Sequence, residues 1–207
     1  MLKILGRKTS VNVMKVLWAC AELNLKFDRV DIGGPFGGND KPEYLALNPN
    51  GRVPTIDDDG FILWESNVIV RYLAAKHGAG SLWPSDPRQR AEADMWMDWQ
   101  QTTMGGLMFP IFWGLVRTPA EKRDHAAIEK ARAELAKTLN MVELRLARSK
   151  FIAGDSLTVG DIPIGCHIHR WFNLPIERPR QPNLEAWYKR LTERPGYKSH
   201  IVDTPIS

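Results

Sequence analysis

Cysteine is scarce: the 207 residues hold two, Cys20 and Cys166, far apart, with no Cys-x-x-Cys pair and no zinc-ligand spacing. That excludes a disulfide-stapled scaffold and a dithiol redox centre, and leaves two free thiols inside helical segments. Long hydrophobic runs are missing too. The longest, Leu107 to Val116, is interrupted by Pro110 and Gly114 and reaches about half the length of a membrane-spanning helix. Leu2-Lys3-Ile4-Leu5 is too short an apolar segment for a signal peptide and has no basic leader, so a cytoplasmic location and no membrane partner are expected. Neither sign of charge is concentrated. Lys and Arg outnumber Asp and Glu by 28 to 24, a net charge of +4, but they form no basic block and no nucleic-acid motif. Nucleic acid is therefore not an expected partner, whereas small anions fit the sign. His167 and His169 are two residues apart, on different sides of a helix, so no metal site is expected.

What is present suits a globular chain: 43% of residues are hydrophobic, enough for one large domain or two small ones. The most informative stretch runs from Asn48 to Ser66. Val53 to Ile56 and Phe61 to Trp64 are β-prone runs, and Asp58-Asp59-Gly60 between them has the composition of a hairpin turn. Pro54 at the head of the first run forces Val53 into an extended conformation. If the Val53-Pro54 bond is cis, the Val53 amide and carbonyl leave the ladder as an unpaired donor and acceptor, ready for a peptide-like ligand. Glu65-Ser66 then opens a helix, Asn67 to His77, with Val68, Ile69, Tyr72 and Leu73 at helical spacing. Free amides at that start suit a carboxylate, and the neighbouring Glu suits an ammonium group.

Around this stretch the chain reads in order. Leu2 to Leu5 is a strand, a helix follows from Asn12, and Phe27 to Ile32 is a second strand. The segment Gly33 to Asn39 precedes no well-formed helix, so it reads as a mobile surface loop and not as a dinucleotide loop. A short helix at Pro42 to Leu47, the hairpin and the Asn67 helix complete an N-terminal βαβ-ββα domain over residues 1–78. Residues 79–87, rich in Gly, Pro and Ser, form a linker. Residues 88–207 then show helical periodicity throughout, giving an α/β plus all-α chain. Arg88 to Arg117 reads as one helix bent near Gly105-Gly106 and Pro110. Thr118-Pro119-Ala120-Glu121 predicts the next helix start, with Ile128, Ala131, Leu135, Leu139, Val142 and Leu146 on its inner face. Thr158 to Asp161 has the form of a second capping box, a folding element and not a site.

Arg52-Val53-Pro54, Trp64-Glu65-Ser66-Asn67 and Arg71-Tyr72-Leu73, in this order and spacing, resemble the glutathione-binding half of the soluble glutathione S-transferase superfamily, most nearly its bacterial theta- and nu-like members. With both ends of the chain included, the resemblance covers essentially its whole length. It implies a thioredoxin-like first domain, glutathione as co-substrate with no metal, and a homodimer. Ser10 matches the serine that donates a hydrogen bond to the glutathione sulfur in theta-like transferases, and Asn12 is its rival, with Thr9 nearby. Glu65 and Ser66 match the holders of the γ-glutamyl end, and Val53, ahead of Pro54, matches the residue whose backbone pairs with the cysteinyl unit. Arg52 matches a basic residue near the glycine carboxylate, and Asn39 would assist from the loop. The hydrophobic electrophile is then expected across the cleft, against Met108, Phe109, Phe112, Trp113, Arg117 and Trp171. The activity implied is conjugation of the glutathione thiolate to hydrophobic electrophiles, as in detoxification. The alternatives are a glutathione-dependent peroxidase or disulfide oxidoreductase, and a non-catalytic binding relative.

Overall fold

Leu2 and Ile4 flank a polar Lys3, and in the computed structural model, which describes residues 1–207, both turn inward from strand β1 (Leu2–Leu5). Strand β2 (Asp28–Val30) lies parallel to β1, and β3 (Thr55–Asp58) runs antiparallel along the other edge of β1. Strand β4 (Phe61–Trp64) closes the order β2-β1-β3-β4. The hairpin turn uses two left-handed residues, Asp59 (φ 53) and Gly60 (φ 93), whose twist matches the flanking strands. Strand β3 begins at Thr55, two residues later than the hydrophobic pattern predicts, because Pro54 brings no N–H to the ladder. Helices α1 (Val11–Glu22), α2 (Pro42–Leu47) and α3 (Ser66–His77) complete the expected βαβ-ββα arrangement. The Gly33 segment is tied down at one point, where Asn39 donates to the Gly51 carbonyl at 2.8 Å.

Everything beyond is helical. Helix α4 (Pro87–Trp99) passes into α5 (Gly105–Phe112), but the interruption expected at the glycines falls earlier, as a π-helical turn at Gln100–Met104. A second such turn, Trp113–Arg117, follows Pro110, which removes a donor inside α5. The helix expected from Thr118 starts later. Residues Ala120–Lys122 form only a 3₁₀ turn, and α6 (His125–Thr138) is capped by Asp124, which accepts from the Ala127 amide at 2.9 Å. Helices α7 (Asn140–Leu146), α8 (Asp161–Asn173), α9 (Pro182–Thr192) and α10 (Pro195–Tyr197) follow.

Two hydrophobic clusters share α1. Its Val13, Val16, Leu17 and Cys20 face the sheet, while Met14, Trp18 and Ala19 join the larger cluster of the helical half. A helix apolar on all sides is a buried helix, so α1 joins the two halves. Gly165 of α8 lets α1 come close: a Cβ there would lie 2.8 Å from a Trp18 ring carbon and 3.0 Å from Leu191. Gly165→Ala is therefore expected to destabilise the protein by about 1–3 kcal/mol through overpacking, read as a lower urea midpoint. A neutral result would mean that Trp18 moves freely.

Candidate active site

The N-termini of α1 and α3 open onto one cleft between the sheet and the helical half. The first-turn amides of each helix have no helical acceptor and concentrate positive potential there. The Ser10 side chain caps none of those of α1. Two adjoining cavities, about 330 and 230 Å³, share Asn12, Arg52, Glu65, Ser66 and Gln101. The smaller is completed by Asn48, Asn50, Val53 and Pro54. The Val53-Pro54 bond is cis, and the Val53 amide and carbonyl have no hydrogen-bond partner in the chain. Their neighbour is held firmly: the Arg52 carbonyl accepts from Tyr44 Oη at 2.6 Å and from Asn48 Nδ2 at 2.7 Å. Glu65 adopts a left-handed backbone (φ 71), a strained conformation for a non-glycine residue. A wider groove of about 690 Å³ lies apart, at Ser81, Asp155 and Arg194, where Glu22 already neutralises Arg194.

Behind the shared wall sits a buried ammonium. Lys15 Nζ donates to Gln100 Oε1 at 2.9 Å and to Asn67 Oδ1 at 3.2 Å, with Ser66 Oγ at 3.5 Å. Burial pushes it down to about 8, with Glu65 among the charges opposing the shift. The chain of polar contacts continues across the cleft. Gln100 Nε2 meets His167 Nε2 at 3.4 Å, and His167 Nδ1 lies 3.1 Å from the Pro163 carbonyl. This arrangement suits a neutral imidazole with its proton on Nδ1, and burial holds its pKa well below the usual histidine range. Cys20 and Cys166 are free and buried, both pushed up to about 12 by burial, so neither is a ready nucleophile.

Of the residues singled out from the sequence, Asn12, Arg52, Val53, Pro54, Glu65 and Ser66 line the cleft, as do Met108, Phe109 and Phe112. Ser10 is buried and lines neither cavity, and Thr9 lies outside them as well. Asn39 is spent on Gly51. Trp171 is fully buried core, Trp113 stacks on Phe109 outside the lining, and Arg117 stands over Phe112 without reaching the wall. Several wall residues were not anticipated, chief among them Lys15, Gln100, His167 and Arg170. Lys15 carried a signal, a cation set between Met14 and Val16 on an otherwise apolar helix. For Gln100 and Arg170 nothing local marks a cleft.

Residues 9–76 match the sequence model of the glutathione S-transferase N-terminal domain, and residues 106–195 that of the C-terminal domain. The chain is 44% identical to glutathione S-transferase GstB of Escherichia coli (strain K12), with all of both chains covered. It is 29% identical to glutathione S-transferase 3 of Zea mays, over 99% of this chain and 95% of that one. Among solved structures it resembles the theta class glutathione S-transferase of the citrus canker pathogen Xanthomonas axonopodis pv. citri with glutathione bound. That match has a TM-score of 0.96 and 46% identity, over 100% of this chain and 99% of the other.

Proposed function

The chain belongs to the glutathione S-transferase family and is a glutathione transferase, and on that premise we propose that Asn12 and the N-terminus of α1 stabilise the thiolate of bound glutathione. The observation that carries this reading is the position of Asn12, on the wall of both cavities at the first turn of α1. On one side of it lie the groups suited to glutathione. Glu65 faces the ammonium and the Ser66 amide faces the carboxylate of the γ-glutamyl end, the free backbone of Val53 pairs with the cysteinyl unit, and Arg52 draws the glycine carboxylate. On the other side lie Met108, Phe109 and Phe112, against which the electrophile rests.

An unperturbed thiol has a pKa of about 8.5, so only about 3% is thiolate at pH 7. Lowering it by about two units takes about 2.7 kcal/mol of differential stabilisation. One amide hydrogen bond to the sulfur, the helix terminus and the positive charge of Lys15 are together of that size. The proton leaves to solvent, the sulfur attacks the carbon held beside it, and proximity supplies the rest of the rate.

We place the linker at residues 79–87, between a glutathione-binding unit (1–78) and a helical unit (88–207) that holds the electrophile. We further propose a cytoplasmic homodimer. The exposed Phe61, Trp64, Val68 and Met95 support association through β4, α3 and α4. No helix is long and apolar enough to cross a membrane.

The test is a titration of bound glutathione by thiolate ultraviolet absorbance. We expect a pKa about two units below the free thiol. An unshifted value would reduce the site to passive binding.

A further inference from the structure

The wall facing the electrophile is only partly apolar, and what completes it is cationic. Arg170 of α8 lines the larger cavity at 8% exposure, yet its guanidinium has no hydrogen bond and no ion pair in the chain. It lies instead over the Phe112 ring, 3.7 Å from the centroid, and Arg117 approaches the same ring at 5.9 Å. Arg7 stands close enough to repel both, and its buried Nε has no acceptor. Burial, then Arg117 and Arg7, press Arg170 down to about 10, with Cys166 opposing the shift. No carboxylate answers this group. Glu65 is the one acidic residue on the cavity wall, and glutathione's ammonium claims it.

A buried charge without a partner is destabilising, and a planar guanidinium offers the fork that a carboxylate fits. A ligand can supply the missing counter-charge. Resting on the transferase reading above, we infer that this cavity selects electrophiles carrying a carboxylate on a flat, aryl-sized body. The carboxylate meets Arg170, Arg117 adds its charge from behind the wall, and the ring lies against Phe112 and Phe109. A volume of about 330 Å³ holds a substituted benzene. In the reaction the glutathione thiolate forms a C–S bond at the ring carbon bearing a halide, and the C–halogen bond breaks with its electron pair leaving as halide. Oxidation states otherwise stay put, and the carboxylate is a handle, untouched by the chemistry. The cationic subsite thus adds selectivity for charge to the apolar face that Met108, Phe109 and Phe112 provide.

The experiment compares 4-chloro-3,5-dinitrobenzoate with 4-chloro-3,5-dinitrobenzamide, each kcat/KM divided by the uncatalysed rate constant with glutathione at the same pH. Wild type is expected to favour the carboxylate by about tenfold, as one charge-assisted pair provides. Arg170→Gln is expected to bring that ratio near one, and Arg117→Gln, at a more exposed position, to lower it part of the way. Added salt should shrink the wild-type ratio. If Arg170→Gln does not fold, Arg117→Gln and the salt series carry the test. A wild-type ratio near one, or a ratio unmoved by both substitutions and by salt, overturns the subsite while leaving the transferase intact. Both compounds reacting only at the uncatalysed rate overturns the subsite as well, and a normal or shifted thiolate pKa then tells whether the transferase reading fails with it.

Discussion

Asn12→Ala is expected to raise the pKa of bound glutathione by about one to two units and to lower kcat/KM by about 10²-fold, the usual cost of losing one donor to a developing anion. Ser10→Ala is expected to change kcat/KM by less than about threefold. The contrast follows from two positions at one helix start. Asn12 is exposed on the wall of both cavities, between the free Val53 backbone and Phe109, where the proposed function puts the sulfur within reach of its amide N–H. Ser10 precedes it as the helix cap, buried, outside both cavities, and with no side-chain bond to a first-turn amide. The two variants are to be read side by side by thiolate absorbance and by turnover. A pKa raised in Ser10→Ala and unmoved in Asn12→Ala would hand the sulfur to the serine and remove Asn12 from that role.

The second large effect is on stability. Asp161→Ala should lower the unfolding free energy by about 3–5 kcal/mol, with the folded remainder still lowering the thiol pKa. The Asp161 carboxylate is fully buried and accepts from four donors: the Ile152 amide at 2.9 Å, the Thr158 amide at 2.9 Å, the Thr158 hydroxyl at 3.2 Å and the Trp187 indole at 3.0 Å. It ties the entry of α8 to the loop before it and to α9. Burial pushes its pKa up to about 6, and those four donors limit the rise. Removing the acceptor leaves buried N–H groups unpaired, which costs more than the bonds themselves. Urea unfolding with an unchanged m-value is the measurement. A loss under about 1 kcal/mol would show that water or a neighbouring carbonyl replaces the carboxylate.

Features set by residues close in sequence are legible from the amino-acid order alone. The alternation in β1, the left-handed demand of Asp59-Gly60, the Val53-Pro54 head of the first hairpin strand and the Glu65-Ser66 helix start are all short-range. Together they place the thioredoxin-like half, and with it the Arg52-to-Ser66 side of the cleft. The box at Thr158 to Asp161 is legible for the same reason, though its bonds to Ile152 and Trp187 are not. The start of α6 shows the limit of local reading. Thr118-Pro119 and Asp124 both have capping chemistry, and the helix takes the second, where the carboxylate meets the Ala127 amide at 2.9 Å.

The order of elements, the hairpin and the Arg52-to-Ser66 side of the cleft are thus determined by the sequence itself, through dihedral preference and hydrophobic period. Tertiary structure alone decided the far wall. Lys15 becomes a buried, hydrogen-bonded cation because Asn67 and Gln100, 52 and 85 positions away, turn toward it, Gln100 from a π-helical turn. Arg170 becomes an unpaired charge in a cavity only because α8 packs against α1 and α5. Desolvation and charge proximity depend on which distant surfaces meet, and a one-dimensional pattern does not contain that information.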